Sequence, residues 1–212
     1  MRNWPFFNLS ITTPRLVLRI PSLEDLDELG DRAAEGIHED GFMPFLFPWT
    51  DGEPAERARR TAQYHFRIWG ALTADDWALE FAVLYEGQVV GTQGIQAKNF
   101  AVTRELGSGS WLGRRFQGQG IGTEMRAAVL HLAFAGLGAR YAVTEAFEDN
   151  HASRAVTRKL GYREDGFWTH ARKGEPVVSQ RFRLAAEDWS ETPGIEIHNL
   201  GPCLPLLGLD GS

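Results

Sequence analysis

The sequence predicts a mixed α/β fold, with a largely antiparallel central sheet flanked by helices. Three observations carry that expectation. Several stretches alternate apolar and polar residues between Gly and Pro punctuation, tight-turn dipeptides join neighbouring stretches, and four segments with helical apolar spacing sit among them. A chain of 212 residues can bury roughly 70% of its unfolded surface in one core, so it needs no disulfide staples.

The elements follow in order. Leu16, Leu18 and Ile20 alternate within residues 11–20, a first strand that Pro21 stops. Ser22 with Asp25 three residues on, backed by Leu23, Leu26 and Leu29, is a capped helix start. Residues 41–52 are rich in Pro, Phe and Gly with no clean period, an ordered loop packed through its aromatics or lining one wall of a pocket. Pro54 opens a second helix, with Ala58, Ala62, Phe66 and Trp69 along the expected inner face. Strands follow over 77–85 and 88–97, joined by Glu86-Gly87, and a third over 105–112. Gly107, Gly109 and Gly113 there suggest a bulge or a close backbone approach. Ile121, Met125, Val129 and Leu132 mark a third helix ending at Gly136 and Gly138. A strand over 141–147, a short helix over 151–160 and a hairpin pairing 167–172 with 177–184 across Lys173-Gly174 complete the series. Residues 1–189 form one domain in this reading. The Pro-rich, apolar tail 190–212 is expected to dock on that domain or on a partner subunit.

Composition narrows the function classes. The 22 basic and 28 acidic residues give a net charge of −6, the wrong sign for a protein that neutralises phosphates, so no nucleic-acid partner is expected. No run of about 18 apolar residues occurs, so no membrane span is expected. Cys203 is the single cysteine; it offers neither an internal disulfide nor a thiolate metal cluster, and it suits a reducing, cytoplasmic location. His65 and His131 have no partner at ligand spacing, and no metal is expected.

The densest chemical signal is Arg115-Phe116-Gln117-Gly118-Gln119-Gly120-Ile121-Gly122-Thr123, which follows a strand and opens a helix. Glycines at a helix start let backbone amides converge on an anion, and the helix dipole adds favourable potential. No Lys follows them, which excludes a P-loop, and glycines at 118, 120 and 122 do not give the G-x-G-x-x-G spacing of a dinucleotide fold. The remaining pattern, Q-x-x-G-x-G through Gln117, Gly120 and Gly122, resembles the coenzyme A pyrophosphate loop of the GNAT superfamily of N-acyltransferases. Two more segments share that resemblance. Asn150-His151-Ala152-Ser153 leading to Lys159-Leu160-Gly161-Tyr162 is similar to the second GNAT signature, and Thr13-Pro14-Arg15-Leu16-Val17-Leu18-Arg19 is similar to the opening of its RimJ/RimL branch.

The resemblance implies a GNAT-type sheet and an acyl-CoA-dependent N-acyltransferase that moves a short acyl group, acetyl first, from the thioester to a primary amine by direct attack. A succinyl or other short acyl donor, or a non-catalytic acyl-CoA-binding domain, stays open. It implies that amides of Gln117, Gly118, Gln119, Gly120, Ile121, Gly122 and Thr123 hold the pyrophosphate of acetyl-CoA or another acyl-CoA. The strand end at Trp111 and Leu112 would pair with the pantetheine arm, an amide near Leu112 polarising the thioester carbonyl. Asn150 would bond the pantetheine or acyl end, and Ser153 would donate to the departing sulfur. Many members place a Tyr acid where this chain has Thr157, which turns that role toward Ser153. Glu145 is the first candidate for the base that accepts the amine proton, with Glu105 and His170 behind it. The acceptor would be an amine-bearing small molecule or a protein or peptide N-terminus, and the resemblance also implies a homodimer.

Overall fold

The computed structural model describes residues 1–209. Among them, nine strands form one sheet: β1 (Ser10–Thr12), β2 (Leu16–Arg19), β3 (Asp76–Tyr85), β4 (Gln88–Lys98), β5 (Glu105–Leu112), β6 (Tyr141–Phe147), β7 (Arg163–Arg172), β8 (Glu175–Ala185) and β9 (Glu196–His198). Their order is β7-β8-β6-β5-β4-β3-β2-β1-β9. Every pairing is antiparallel except β5 with β6. Five helices accompany the sheet: α1 (Leu23–Glu35), α2 (Pro54–Ala71), α3 (Phe100–Thr103), α4 (Ile121–His131) and α5 (His151–Lys159). No helix among the described residues is long and apolar enough to cross a membrane.

The expected single strand over 11–20 is in fact a hairpin of β1 and β2. Pro14 cannot donate to a ladder, and the Thr13 amide and hydroxyl close the turn: Thr13 N–H donates to the Leu16 carbonyl at 2.9 Å, and the Leu16 amide donates to Thr13 Oγ1 at 2.9 Å. The α1 start is as expected. Ser22 Oγ accepts from the Asp25 amide, and the Asp25 carboxylate accepts from the Ser22 amide and from Arg19. Burial works against the Asp25 carboxylate, but the bonds from Arg19 and Ser22 outweigh it and hold its pKa below the usual value.

On α2 the inner face differs from the expected one. Thr61 and His65 are buried, while Phe66 is 51% exposed. The His65 Nδ1 bonds the Thr61 carbonyl one turn back at 2.9 Å, so a polar residue can occupy the inner stripe, and burial lowers its pKa. The helix α4 is buried along nearly its whole length and widens into a π-helical turn over Leu132–Gly136. The helical segment ends at Gly136 as expected, and a Cβ there would stand 2.9 Å from Leu200 and 3.0 Å from Ile197, so that glycine also admits the tail. The tail adds β9 to the free side of β1, and Cys203 and Leu207 are fully buried in the main core. Burial pushes the Cys203 thiol up to about 11, which suits packing.

One carboxyl group is buried in the sheet. Glu80 on β3 faces Gly94 on β4, and its carboxyl group occupies the space a Cβ there would need. Its Oε1 accepts a long bond from the Tyr64 hydroxyl at 3.5 Å, and its Oε2 is sealed from solvent without a partner. Burial pushes its pKa from 4.5 up to about 8. A raised acid favours the fold below its unfolded value and loses that contribution as pH climbs through the folded one. Stability attributable to Glu80 is therefore full below pH 4.5 and declines toward pH 8. Glu80→Gln should match the wild type at pH 4.5 and exceed it at pH 8 in denaturant unfolding; parallel curves at both values would contradict this.

Candidate active site

The sheet opens where its one parallel pairing ends. The strands β5 and β6 pair only over Glu105–Gly107 and Tyr141–Val143, after which β6 continues along β8 and β5 along β4. The resulting cleft has a volume of about 1160 Å³ and reaches from the aromatic loop at Phe42 and Phe45 to the start of α5. Residues 41–52 thus form a wall, locked by Arg172, whose Nη1 donates to the Met43 carbonyl at 2.7 Å.

Backbone alternation fixes which groups of β5 face the opening. The Gly113 amide donates to the Val90 carbonyl on β4, so the amides of Leu112 and Ser110 point the other way, into the cleft. The Leu112 carbonyl is taken by Gln117 Nε2 at 2.9 Å, and that of Ser108 by the Thr144 hydroxyl at 3.1 Å. Trp111 turns its ring to the α1–α2 side and meets Trp49 at 5.7 Å between centroids.

The glycine-rich loop closes the end of the cleft beside Leu112. Gly118 and Gly120 have φ of 74° and 80°, the left-handed region, and Gly120 is the N-cap of α4. Gly122 is helical and a Cβ there would make ordinary contacts with Leu112 and Val156. Gln117 Nε2 also donates to the Ile37 carbonyl at 2.7 Å, and Gln119 Nε2 to the Arg115 carbonyl at 2.8 Å. These two glutamines hold the loop with their side chains, leaving amides at the mouth of α4. From behind, Glu124 in the first turn of α4 accepts from Arg15 Nε at 2.7 Å and from the Thr13 hydroxyl at 2.6 Å. Arg15 Nη1 donates to the Gln119 carbonyl at 3.2 Å. The Thr13-Pro14-Arg15 turn is therefore a brace for the loop.

At the opposite wall, Asn150 caps α5, its Oδ1 accepting from the Ser153 amide at 3.1 Å. Its Nδ2 makes no hydrogen bond among the described residues. Ser153 lines the cleft, and among the described residues its hydroxyl has no partner. Thr157 is fully buried and bonds back to the Ser153 carbonyl at 2.8 Å, so it offers nothing to the cleft.

The structure brings two of the three base candidates together. Glu145 Oε2 accepts from the Ser179 hydroxyl at 2.5 Å and lies 2.9 Å from His170 Nε2. The cluster sits on the sheet face opposite Thr144, because neighbouring residues of β6 point to opposite sides. Glu105 also lines the cleft, but it is paired with Arg183 at 2.9 Å. Residues that sequence reading missed are Ser108, Ser110, Arg126, Thr144 and Ser179, all lining the cleft. No short motif contains them; only the sheet register gathers them. No group of His, Cys, Asp and Glu among the described residues could hold a metal ion.

Residues 15–163 match the family model described as an acetyltransferase (GNAT) domain. Among solved structures, Mycobacterium smegmatis RimJ in complex with CoA-disulfide is 19% identical over 95% of each chain, with a TM-score of 0.71. A GNAT-family acetyltransferase from Bacillus anthracis is 18% identical, covering 84% of this chain and 99% of that one, with a TM-score of 0.68. A GCN5-related N-acetyltransferase from Brucella melitensis is 20% identical over 85% and 80%, with a TM-score of 0.67. At these identities the likeness concerns the fold.

The loop geometry yields a stability test. Gly118→Ala and Gly120→Ala each force a Cβ into the left-handed region and should cost about 1 kcal/mol, whereas Gly122→Ala, inside a right-handed helix, should be neutral or slightly stabilising. Urea unfolding of the three variants checks the order.

Proposed function

The chain belongs to the acetyltransferase (GNAT) family and is an acyltransferase of that type, and on that premise we propose that it transfers a short acyl group from a coenzyme A thioester to a primary amine in the cytoplasm. The observation that supports this reading best is the junction of an amide-rich helix start with an unpaired strand edge at one end of the cleft. Such a junction fits an anionic diphosphate followed by an extended amide-bearing arm. The donor supplies an activated acyl carbonyl; the chain supplies the rest.

Amides of residues 118–122 hold the pyrophosphate with help from the α4 dipole, those of Gln117 and Thr123 being already bonded to the Arg114 and Gly120 carbonyls. The Leu112 and Ser110 amides receive the arm and stabilise negative charge building on the thioester oxygen. Asn150 Nδ2 steadies the arm across the cleft, and the Ser153 hydroxyl hydrogen-bonds the leaving sulfur. The amine enters from the face that carries Glu145, His170 and Ser179. Its nitrogen forms the new C–N bond as the C–S bond breaks, and the proton it loses passes to the Glu145–His170 pair. Phe42, Phe45 and Trp168 border that entrance, walls suited to the side chains of an N-terminal peptide or an amine-bearing metabolite.

Three variants test the assignment, read by free-thiol release with a panel of amines and N-terminal peptides and by calorimetry of donor binding. Ser153→Ala should lower kcat about tenfold or more and leave the donor Kd within a few-fold. Glu145→Gln should lower kcat by about 10²-fold, again without loss of donor binding. Gly120→Val should abolish donor binding by distorting and filling the cradle; normal binding would displace the pyrophosphate from this loop.

A further inference from the structure

Arg126 is an unusual occupant of α4. It is 4% exposed, lines the cleft, and faces the sheet where β5 and β6 part. Its Nε donates to Gln93 Oε1 at 3.3 Å, its Nη2 to the Ser110 hydroxyl at 3.3 Å and its Nη1 to the Thr144 hydroxyl at 3.5 Å. These are long bonds to neutral acceptors, and no carboxylate pairs with the guanidinium among the described residues. A buried cation is normally paired, because its desolvation is otherwise uncompensated. Two further hydroxyls lie beside it. The Ser108 hydroxyl and the Tyr162 hydroxyl are both buried and lie within reach of each other and of the guanidinium. Burial raises the Tyr162 pKa, which keeps that hydroxyl protonated.

The position of this cluster along the cleft gives it a ligand. The pyrophosphate loop adjoins Leu112, the arm's edge of β5 runs back from Leu112 through Ser110, and the opening closes at Gly107 and Val143. Ser108, Ser110, Thr144 and Arg126 surround that closed end. An acyl group at the end of the arm therefore points at a cation and the hydroxyls around it rather than at an apolar wall. We propose that the closed end of the cleft is a carboxylate subsite, so that the donor is a dicarboxylic acyl-CoA whose terminal carboxylate, two or three carbons beyond the thioester, is held by Arg126 with Ser108 and Tyr162. This rests on the N-acyltransfer reading and specifies its donor. Arg126 is a specificity residue: it touches the far end of the acyl group and takes no part in bond making. The transferred group leaves coenzyme A as a free thiol, and the product amide carries a new carboxylate where the acceptor had a cation, a change of two charges.

Calorimetry with succinyl-CoA and butyryl-CoA, which share chain length and differ by carboxylate against methyl, tests this without knowledge of the acceptor. Wild-type protein should bind succinyl-CoA about tenfold more tightly or better, as a charge-assisted bond between buried groups would give. In Arg126→Gln that ratio should fall to near one, and in Tyr162→Phe, which keeps the ring, by about threefold. The wild-type ratio stands by itself if Arg126→Gln does not fold. A wild-type ratio near or below one overturns the subsite while leaving N-acyltransfer intact, and so does a ratio that survives in Arg126→Gln. Failure of coenzyme A and both thioesters to bind would overturn the N-acyltransfer reading, and the subsite with it.

Discussion

A short parallel pairing sets up everything else in this molecule. The strands β5 and β6 hold together for three residue pairs and then part, each continuing with its antiparallel neighbour. Strands that diverge leave backbone groups without partners, a cost that folded proteins accept only where something else meets them. Here some are met internally, by Gln117 at the Leu112 carbonyl and by Thr144 at the Ser108 carbonyl. The Ser110 and Leu112 amides are left to the cleft. The helix α4 enters beneath this opening, so its amide-rich start and its buried arginine face one cleft from a single rigid element, with Glu124 bracing the loop from behind.

Much of this was legible in the sequence, and the reasons are physical. The glycine loop stood out because left-handed backbone at Gly118 and Gly120 restricts residue type. The strands and the capping box of α1 stood out because period and cap are local properties. Misreadings occurred where a local pattern had two meanings. Leu16 and Leu18 alternate on β2, with Ile20 just beyond its end, but the closing of a turn by Thr13 is invisible to alternation. Phe66 fitted an apolar stripe that Thr61 and His65 occupy instead, since a helix can satisfy both through its own carbonyls.

The acceptor half was legible only as separate candidates. Glu145 and His170 lie on strands that are not neighbours, separated by β8, and their meeting depends on register across two pairings. Arg126 was hidden for a different reason. It stands among Met125, Ala127 and Ala128 on a helix buried nearly all round, and sequence offers no way to tell a charge that faces a cleft from one that faces water.

The tail strand carries a consequence for how the chain is made. The strand β1 has β2 on one side and β9 on the other. Its outer partner is Glu196–His198, so that edge stays bare until a segment far along the chain has been made. A nascent chain presents a row of unpaired backbone groups throughout that interval, the situation that invites pairing with other chains. Three residues of β9 thus act as a seal on a strand far earlier in the chain, and a chain that lacks them keeps a sheet with an open flank.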